Sequence, residues 1–483
     1  MSQRRAKSIK RKIKNVKARR DVKRRRAKKD KARAREKNVT RRISKARFEA
    51  LSYARAPLIK LFSEEVEWYS NPENSILGVI LIDKSDADFS VVLLGRDEVG
   101  VFRYIDGGHS IESIKQARNF LTRKIEFYST GSARVFPQGL SKKKKQIIFD
   151  PIVSEDVMHE DYKVLASSPF FSPAREIVQE IAFSFEDPDG NYIEQLQSSG
   201  FNARLWELYL YALFHELDFV TNRDFNAPDY VIEKLNTRVC VEAVTVNPSQ
   251  NGFDEEEPNN KQQLSKLLSD YIPIKYGSPL FTKLNKKYWE KVHVSGCPLV
   301  LAIHDFHQRD SMMWSRQGLE TYLYGAERKV EFTTGGEIRQ KIRFLDNHSW
   351  KGKVIPSGFF FQPDGENISA VIHSHQATIG KFLRMGYLAG FGRQDLDIMV
   401  AGQAYYNEAA IPYDYSIDIT KEGYEEFWCE SITIYHNPNA LNPLDPELFE
   451  GAAQVLFRDG NYYSITPDFY PINARTMYRL KEK

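Results

Sequence analysis

Two acidic residues, Asp229 and Glu242, stand at either end of the run Asp229-Tyr230-Val231-Ile232-Glu233-Lys234-Leu235-Asn236-Thr237-Arg238-Val239-Cys240-Val241-Glu242. Suppose the run is a hairpin whose loop centres between Leu235 and Asn236. Lys234 then faces Thr237, Glu233 faces Arg238, Ile232 faces Val239, Tyr230 faces Val241, and Asp229 faces Glu242. Opposed Cβ atoms in such a pair lie about 4.5–5.5 Å apart. Both carboxylates could then hold one divalent cation at oxygen distances of roughly 2.0–2.6 Å, and with neither a cation nor a shared proton they would repel. Tyr230, Ile232, Val239 and Val241 share one face and suit a core, which supports the register independently. Leu-Asn, by contrast, is not a favoured tight-turn dipeptide.

Several elements must position this pair. Apolar periodicity predicts helices over 173–184 and 201–217, strands near 229–234 and 238–246, and a helix near Leu280 to Trp289. A buried strand at Leu299 to His304 and a helix from about Met312 to Tyr324 follow. From the helix at 201 onward the expected order is α-β-β-α-β-α. Upstream, residues 42 to 67 read as helix. Three strands follow at Ile76–Ile82, Phe89–Leu94 and Val99–Tyr104, then a helix near Ile111 to Phe127 that covers one face of the meander. The basic stretch Pro137 to Lys145 is a soft boundary, and residues 330 to 483 read as mixed and strand-rich, with strands at Gly358–Phe361 and Ile368–His373 that either extend the same sheet or form a lid.

A helix bearing a Glu, then Pro-Asp opening a hairpin, an acid on its second strand, and a following helix and strand resembles the PD-(D/E)XK nuclease superfamily, the restriction-endonuclease-like fold. The resemblance covers about residues 200 to 325. It implies an α/β core in which Asp229 is the metal-binding Asp, Glu242 the second acid and Glu207 the Glu of the preceding helix. The superfamily's Lys falls two residues after the second acid, where this chain has Val244. Some members supply that ammonium from the following helix. Lys283 is the first choice here, with Lys287 in reserve four residues on and on the same helical face. Mg²⁺, or Mn²⁺, held by Asp229, Glu242 and a backbone carbonyl near Val244, would lower the pKa of a bound water. The positioned Lys would orient that water or stabilise charge on the phosphate. Glu207 would serve a second ion or a metal-bound water, or would pair with Arg204 at i, i−3.

Charge supports a polyanionic partner. Residues 1–50 hold 24 Lys+Arg against four acids, a balance of +20, while the rest of the chain holds 45 against 60, a balance of −15. Arg24, Arg25, Arg26, Lys28 and Lys29 form the densest cluster of this arm and are expected to bind phosphates by releasing counterions. No run of about 20 apolar residues is present, so no membrane span is expected. Cys240, Cys297 and Cys429 lack metal or disulfide-framework spacing, which fits a reducing, cytoplasmic setting. His304-Asp305-Phe306-His307 and His373-Ser374-His375 read as core or surface histidines, since no third ligand stands at a recognisable spacing. No Walker or nucleophile-elbow motif occurs.

The expected organisation is therefore a basic nucleic-acid-binding arm (1–47), a small α+β module (48–145), a nuclease core (170–330) and a mixed C-terminal region (331–483). The expected activity is metal-dependent hydrolysis of phosphodiester bonds, DNA before RNA, in DNA processing or in defence against foreign nucleic acid. The alternative is a non-catalytic nucleic-acid-binding or assembly protein with a degenerate nuclease fold. A third reading has the basic arm dock on the acidic surface of a protein partner or of a second copy.

Overall fold

The computed structural model describes residues 40–131, 133–139, 145–249, 258–332, 338–407 and 411–481. The chain is mixed α/β and divides into two compact units after Lys145.

The first unit is a five-stranded antiparallel sheet with the strands in chain order: β1 (Arg41–Ile43), β2 (Ser63–Ser70), β3 (Ile76–Asp83), β4 (Phe89–Arg96) and β5 (Phe102–Ile111). Helix α1 (Ile114–Thr130) starts at Ser113, whose hydroxyl accepts a hydrogen bond from the Gln116 amide, and places Ala117, Leu121 and Ile125 on one stripe. That stripe packs on Ile76, Ile80, Val91 and Leu93. Fully buried Leu121 and Ile125 each contribute about 1.5–3 kcal/mol. The helix expected over 42–67 is instead two short helices, Lys45–Glu49 and Ile59–Phe62, followed by strand β2. Leu58, Leu61 and Phe62, which suggested a helical stripe, are exposed, whereas Trp68 and Glu67 alternate across the β2 pleat in register with β3.

The second unit is built on one eight-stranded sheet. Helix α2 (Phe201–Glu216) leads into β6 (Val220–Asn222), β7 (Tyr230–Lys234) and β8 (Thr237–Val246); helix α3 (Ile272–Leu284) then leads into β9 (Leu299–Asp305). Helix α4 (Arg316–Tyr324) and two hairpins, β10 (Ala326–Phe332) with β11 (Ile338–Phe344) and β12 (Asn347–Trp350) with β13 (Lys353–Pro356), precede β14 (Ala370–Ser374). Strands β15 (Leu396–Tyr406), β16 (Tyr413–Asp418) and β20 (Phe469–Leu480) form a separate three-stranded sheet, and β17 (Ile432–His436), β18 (Ala453–Arg458) and β19 (Asn461–Ile465) return to the large one.

The large sheet runs β19-β18-β17-β14-β9-β8-β7-β6. Strands β6, β7 and β8 are an antiparallel meander, whereas β8, β9 and β14 are parallel. Every residue of β9 is buried, as a central parallel strand covered on both faces requires. Helix α2 covers the face carrying Tyr230: Trp206 donates its indole N–H to the Ala302 carbonyl at 2.9 Å, and the Tyr230 hydroxyl donates to the Glu207 carbonyl at 2.6 Å. Helix α3 covers the opposite face, where Tyr276, Leu280 and Leu284 pack with Val231, Cys240 and Val244.

Three expectations change here. The short strand β6 joins the meander, so the order from α2 is α-β-β-β-α-β-α rather than α-β-β-α-β-α. The helix expected over 280–289 lies at 272–284 with Pro279 inside it, and Lys287 beyond its end has φ +48°. Gly358–Phe361 is a 3-10 turn rather than a strand, with Gly358 at φ +71°. Residues beyond 331 supply four strands to the same sheet as β7–β9, the first of the two arrangements expected for them.

Candidate active site

The hairpin has the register read from the sequence: Tyr230 opposes Val241, Ile232 opposes Val239, Glu233 opposes Arg238 and Lys234 opposes Thr237. Its two-residue turn puts both Leu235 (φ +51°) and Asn236 (φ +64°) in the left-handed region, the geometry that matches strand twist in tight hairpins. Tyr230, Ile232, Val239 and Val241 are all fully buried. Alternation across the pleat therefore carries Asp229 and Glu242 onto the face shared with α3.

Asp229 immediately precedes β7. Its amide donates to Oε2 of Glu242 at 3.1 Å, and its own Oδ2 accepts the Ala243 amide at 2.8 Å. Among the described residues, no hydrogen bond reaches Oδ1 of Asp229. Glu242 is 4% exposed, and its Oε1 accepts two donors, Lys283 Nζ at 2.5 Å and the Tyr288 hydroxyl at 2.7 Å. Burial first, and then the negative charges of Glu242 and Glu207, push the Asp229 carboxyl up to about 7. Burial and the neighbouring Glu242 raise the Tyr288 phenol far above its ordinary value, so it remains a proton donor.

Lys283 reaches Glu242 because α3 ends at Leu284 and aims its last turn at the mouth of the hairpin. Lys287 does not reach it. Beyond the helix end it pairs with Asp364 at 3.2 Å, outside the carboxylate pair. Val244 is likewise not at the site. Its side chain is buried in the core under α3, and strand alternation turns its carbonyl toward β9, as the Phe306-to-Val246 and Cys240-to-Pro298 hydrogen bonds on that edge require. The same alternation points the backbone of Ala243 to the Asp229 side, where its amide is already engaged.

Glu207 is held by two guanidinium groups. Arg204 bonds Oε1 at 2.7 Å and Arg223 approaches Oε2 at 3.4 Å, while the Arg223 guanidinium lies 4.0 Å from the Phe185 ring centroid and 4.5 Å from that of Tyr230. Burial raises the Glu207 carboxyl, and the two cations oppose that rise. The pairing with Arg204 is the alternative foreseen from spacing; Arg223 had no local signal, because it reaches Glu207 only once the loop before β7 folds over α2. Tyr288 was equally unassigned, although its place five residues after Lys283 put it near the same carboxylate.

The histidines lie in the interior. Burial pushes His304 and His373 down to about 3 and His375 well below its ordinary value, so each is neutral. Among the described residues no group of three His, Cys, Asp or Glu side chains could hold a metal ion, so any cation here would depend on two carboxylates and a backbone or water oxygen. Arg24, Arg25, Arg26, Lys28 and Lys29 lie outside the described residues, as do residues 140–144 of the basic stretch Pro137 to Lys145. No helix among the described residues is long and apolar enough to cross a membrane. Comparison of the chain with protein-family models, with curated proteins and with solved structures finds no match.

Proposed function

We propose that the chain is a metal-dependent nuclease with a restriction-endonuclease-like core, acting on DNA in preference to RNA. The observation that carries this reading is the convergence of Asp229, Glu242 and Lys283 at one end of the hairpin, with Lys283 supplied by the helix that follows. The chemistry of the donors fits a hard divalent cation such as Mg²⁺. Two adjacent carboxylates share the single ammonium of Lys283, one of them is raised to about 7, and its Oδ1 is unengaged among the described residues. Asp229 and Glu242 would hold the ion, with the Ala243 carbonyl on the same side of the strand. When bound, such an ion lowers the pKa of a coordinated water and neutralises phosphate charge.

The chain's own groups supply the rest. Lys283 is positioned to orient an attacking water or to meet charge developing on the phosphate. The Tyr288 hydroxyl fixes Glu242 Oε1, leaving the carboxylate few orientations. Glu207, engaged by Arg204 and Arg223, acts as a support for the wall beside Asp229 rather than as a ligand. The basic arm would add salt-sensitive, sequence-independent affinity for the polymer. Defence against foreign nucleic acid and DNA processing are the settings this reading favours.

A second reading, a nucleic-acid-binding protein with a non-cutting nuclease fold, draws on Val244 in the superfamily's Lys position and on a Lys283 ammonium committed to Glu242. The deciding experiment incubates mixed DNA and RNA with Mg²⁺, Mn²⁺ or EDTA, using wild type, Asp229→Ala and Glu242→Ala. Metal-dependent cutting lost in both variants supports the nuclease. Binding without cutting under any metal supports the second reading.

A further inference from the structure

The first unit carries a groove unrelated to the carboxylate pair. It runs along the flank of α1 beside the end of β5 as a shallow, solvent-open groove of about 620 Å³, lined mainly by Gln116, Asn119, Phe120, Arg123, Lys124 and Phe127. That volume lies within the roughly 300–1,000 Å³ of ligand sites. Gln116, Phe120, Arg123 and Phe127 recur at helical spacing and form one stripe distinct from the buried Ala117-Leu121-Ile125 stripe.

The chemistry of the stripe is specific. The Phe127 side chain is 67% exposed. Phe120 lies against Gly108 of β5, where a Cβ would come within 3.0 Å of the ring, so this glycine lets the aromatic floor approach the strand. Lys124 is neutralised by Asp106 at 2.6 Å and lies 5.4 Å from the Phe120 ring centroid. Arg123, one turn before Phe127, has no carboxylate partner among the described residues, and the amides of Gln116 and Asn119 make no side-chain hydrogen bond there. Of the four cations in Ile114–Thr130, Arg118 pairs with Glu67 and Lys124 with Asp106, which leaves Lys115 and Arg123 against Glu126.

We propose that this groove binds an unstacked nucleobase and its adjoining phosphate, and so makes the first unit a single-strand-binding module. The exposed Phe127 ring, met at its edge by Tyr128 at 5.1 Å between centroids, offers a stacking platform; the two amides and the guanidinium, without side-chain partners among the described residues, offer hydrogen bonds to a base edge and to the phosphate. A duplex keeps its bases stacked and cannot present one to Phe127. An apolar partner helix would gain nothing from the unpaired Arg123 and the two amides. This assignment rests on the nuclease reading for its biological setting and names that enzyme's substrate class, a strand with single-stranded character.

The test measures binding of the full chain in EDTA, so that no cleavage intervenes, to fluorescent single-stranded DNA, single-stranded RNA and blunt duplex DNA. Phe127→Ala is expected to weaken single-strand binding by about 5- to 150-fold, the range of one aromatic–base stack, with duplex binding unchanged and Phe127→Trp restoring affinity. Arg123→Glu is expected to weaken single-strand binding and flatten its salt dependence. Photocrosslinking with 5-iodouracil strands should label the peptide containing Phe127. The DNA and RNA arms identify which polymer is held. Equal losses on duplex and single strand, unchanged binding in both variants, or crosslinks confined to other peptides would overturn the groove assignment while leaving the nuclease proposal standing. Wild-type protein that binds no nucleic acid would remove both.

Discussion

The amide of Asp229 donates to Oε2 of Glu242 at 3.1 Å across the open end of the hairpin, so the backbone of one acid holds the side chain of the other. This reciprocal arrangement, completed by the Ala243 amide on Asp229 Oδ2, keeps two like charges together that would otherwise separate.

The first prediction concerns pH. The Asp229 carboxyl is raised in the folded chain, to about 7 from an ordinary value of 3.8, so the folded state holds its proton more tightly than the unfolded state does. The stability it contributes is complete below about pH 4 and is lost as pH rises toward 7. In EDTA, Asp229→Asn should therefore gain on wild type as pH rises through this window, by at least about 2 °C in Tm. Parallel melting curves for the two proteins between these pH values would refute the assignment.

Cation binding should reverse that loss. At a Mg²⁺ or Mn²⁺ concentration a hundredfold above Kd, wild-type stability at pH 7.5 should rise by about 2.7 kcal/mol. Asp229→Asn and Glu242→Gln should show no such rise. Calorimetry with either metal reads this directly, and proton release on binding should increase as pH falls below 7.

Lys283 and Lys287 separate cleanly. Lys283→Ala should lower the rate of cleavage by about 100- to 1,000-fold, the usual effect of removing one preorganised donor. Lys287→Ala removes only its contact with Asp364 and should stay within about threefold of wild type. Comparable losses in both variants would place the ammonium elsewhere.

Glu207→Gln leaves Arg204 and Arg223 buried beside a neutral amide. Breaking a buried charge group by removing one partner costs about 3–5 kcal/mol, and chemical denaturation should show a loss of that order. Protein that remains folded should keep its metal affinity, because Glu207 supports the wall rather than the ion; a collapse of metal affinity alone would make Glu207 a ligand.

Leu235 occupies the left-handed region with an exposed side chain. Leu235→Gly removes the Cβ penalty at that turn and should stabilise the chain by about 1 kcal/mol, measured by thermal melting with register intact. Destabilisation would mean that the turn relies on a contact of the Leu side chain.

Much of the candidate site was legible because it is local. The Asp229–Glu242 pairing follows from alternation over fourteen residues and a turn fixed by its own sequence neighbours, and β7 and β8 formed in that register despite an unfavoured Leu-Asn turn. The fully buried apolar face explains why: shifting the strands by one residue would turn Tyr230, Ile232, Val239 and Val241 to the wrong side. By contrast, β2 was misread because Leu58, Leu61 and Phe62 mimic a helical stripe that no partner covers, and β6 was missed because three residues carry too little pattern.

The sequence by itself determined which residues alternate, where helices such as α2 form, and that Asp229 and Glu242 lie side by side, since each is decided by near neighbours and by burial of one face. Only the tertiary structure decided that Lys283, 41 residues beyond Glu242, reaches that carboxylate while Lys287 turns away to Asp364. It alone decided that Arg223 joins Arg204 on Glu207 and that Val244 faces the core. These outcomes depend on where a helix ends, on which edge of a strand is paired, and on how distant segments close on one another. A few degrees at the end of α3 carry an ammonium across several ångströms, and no local pattern records that.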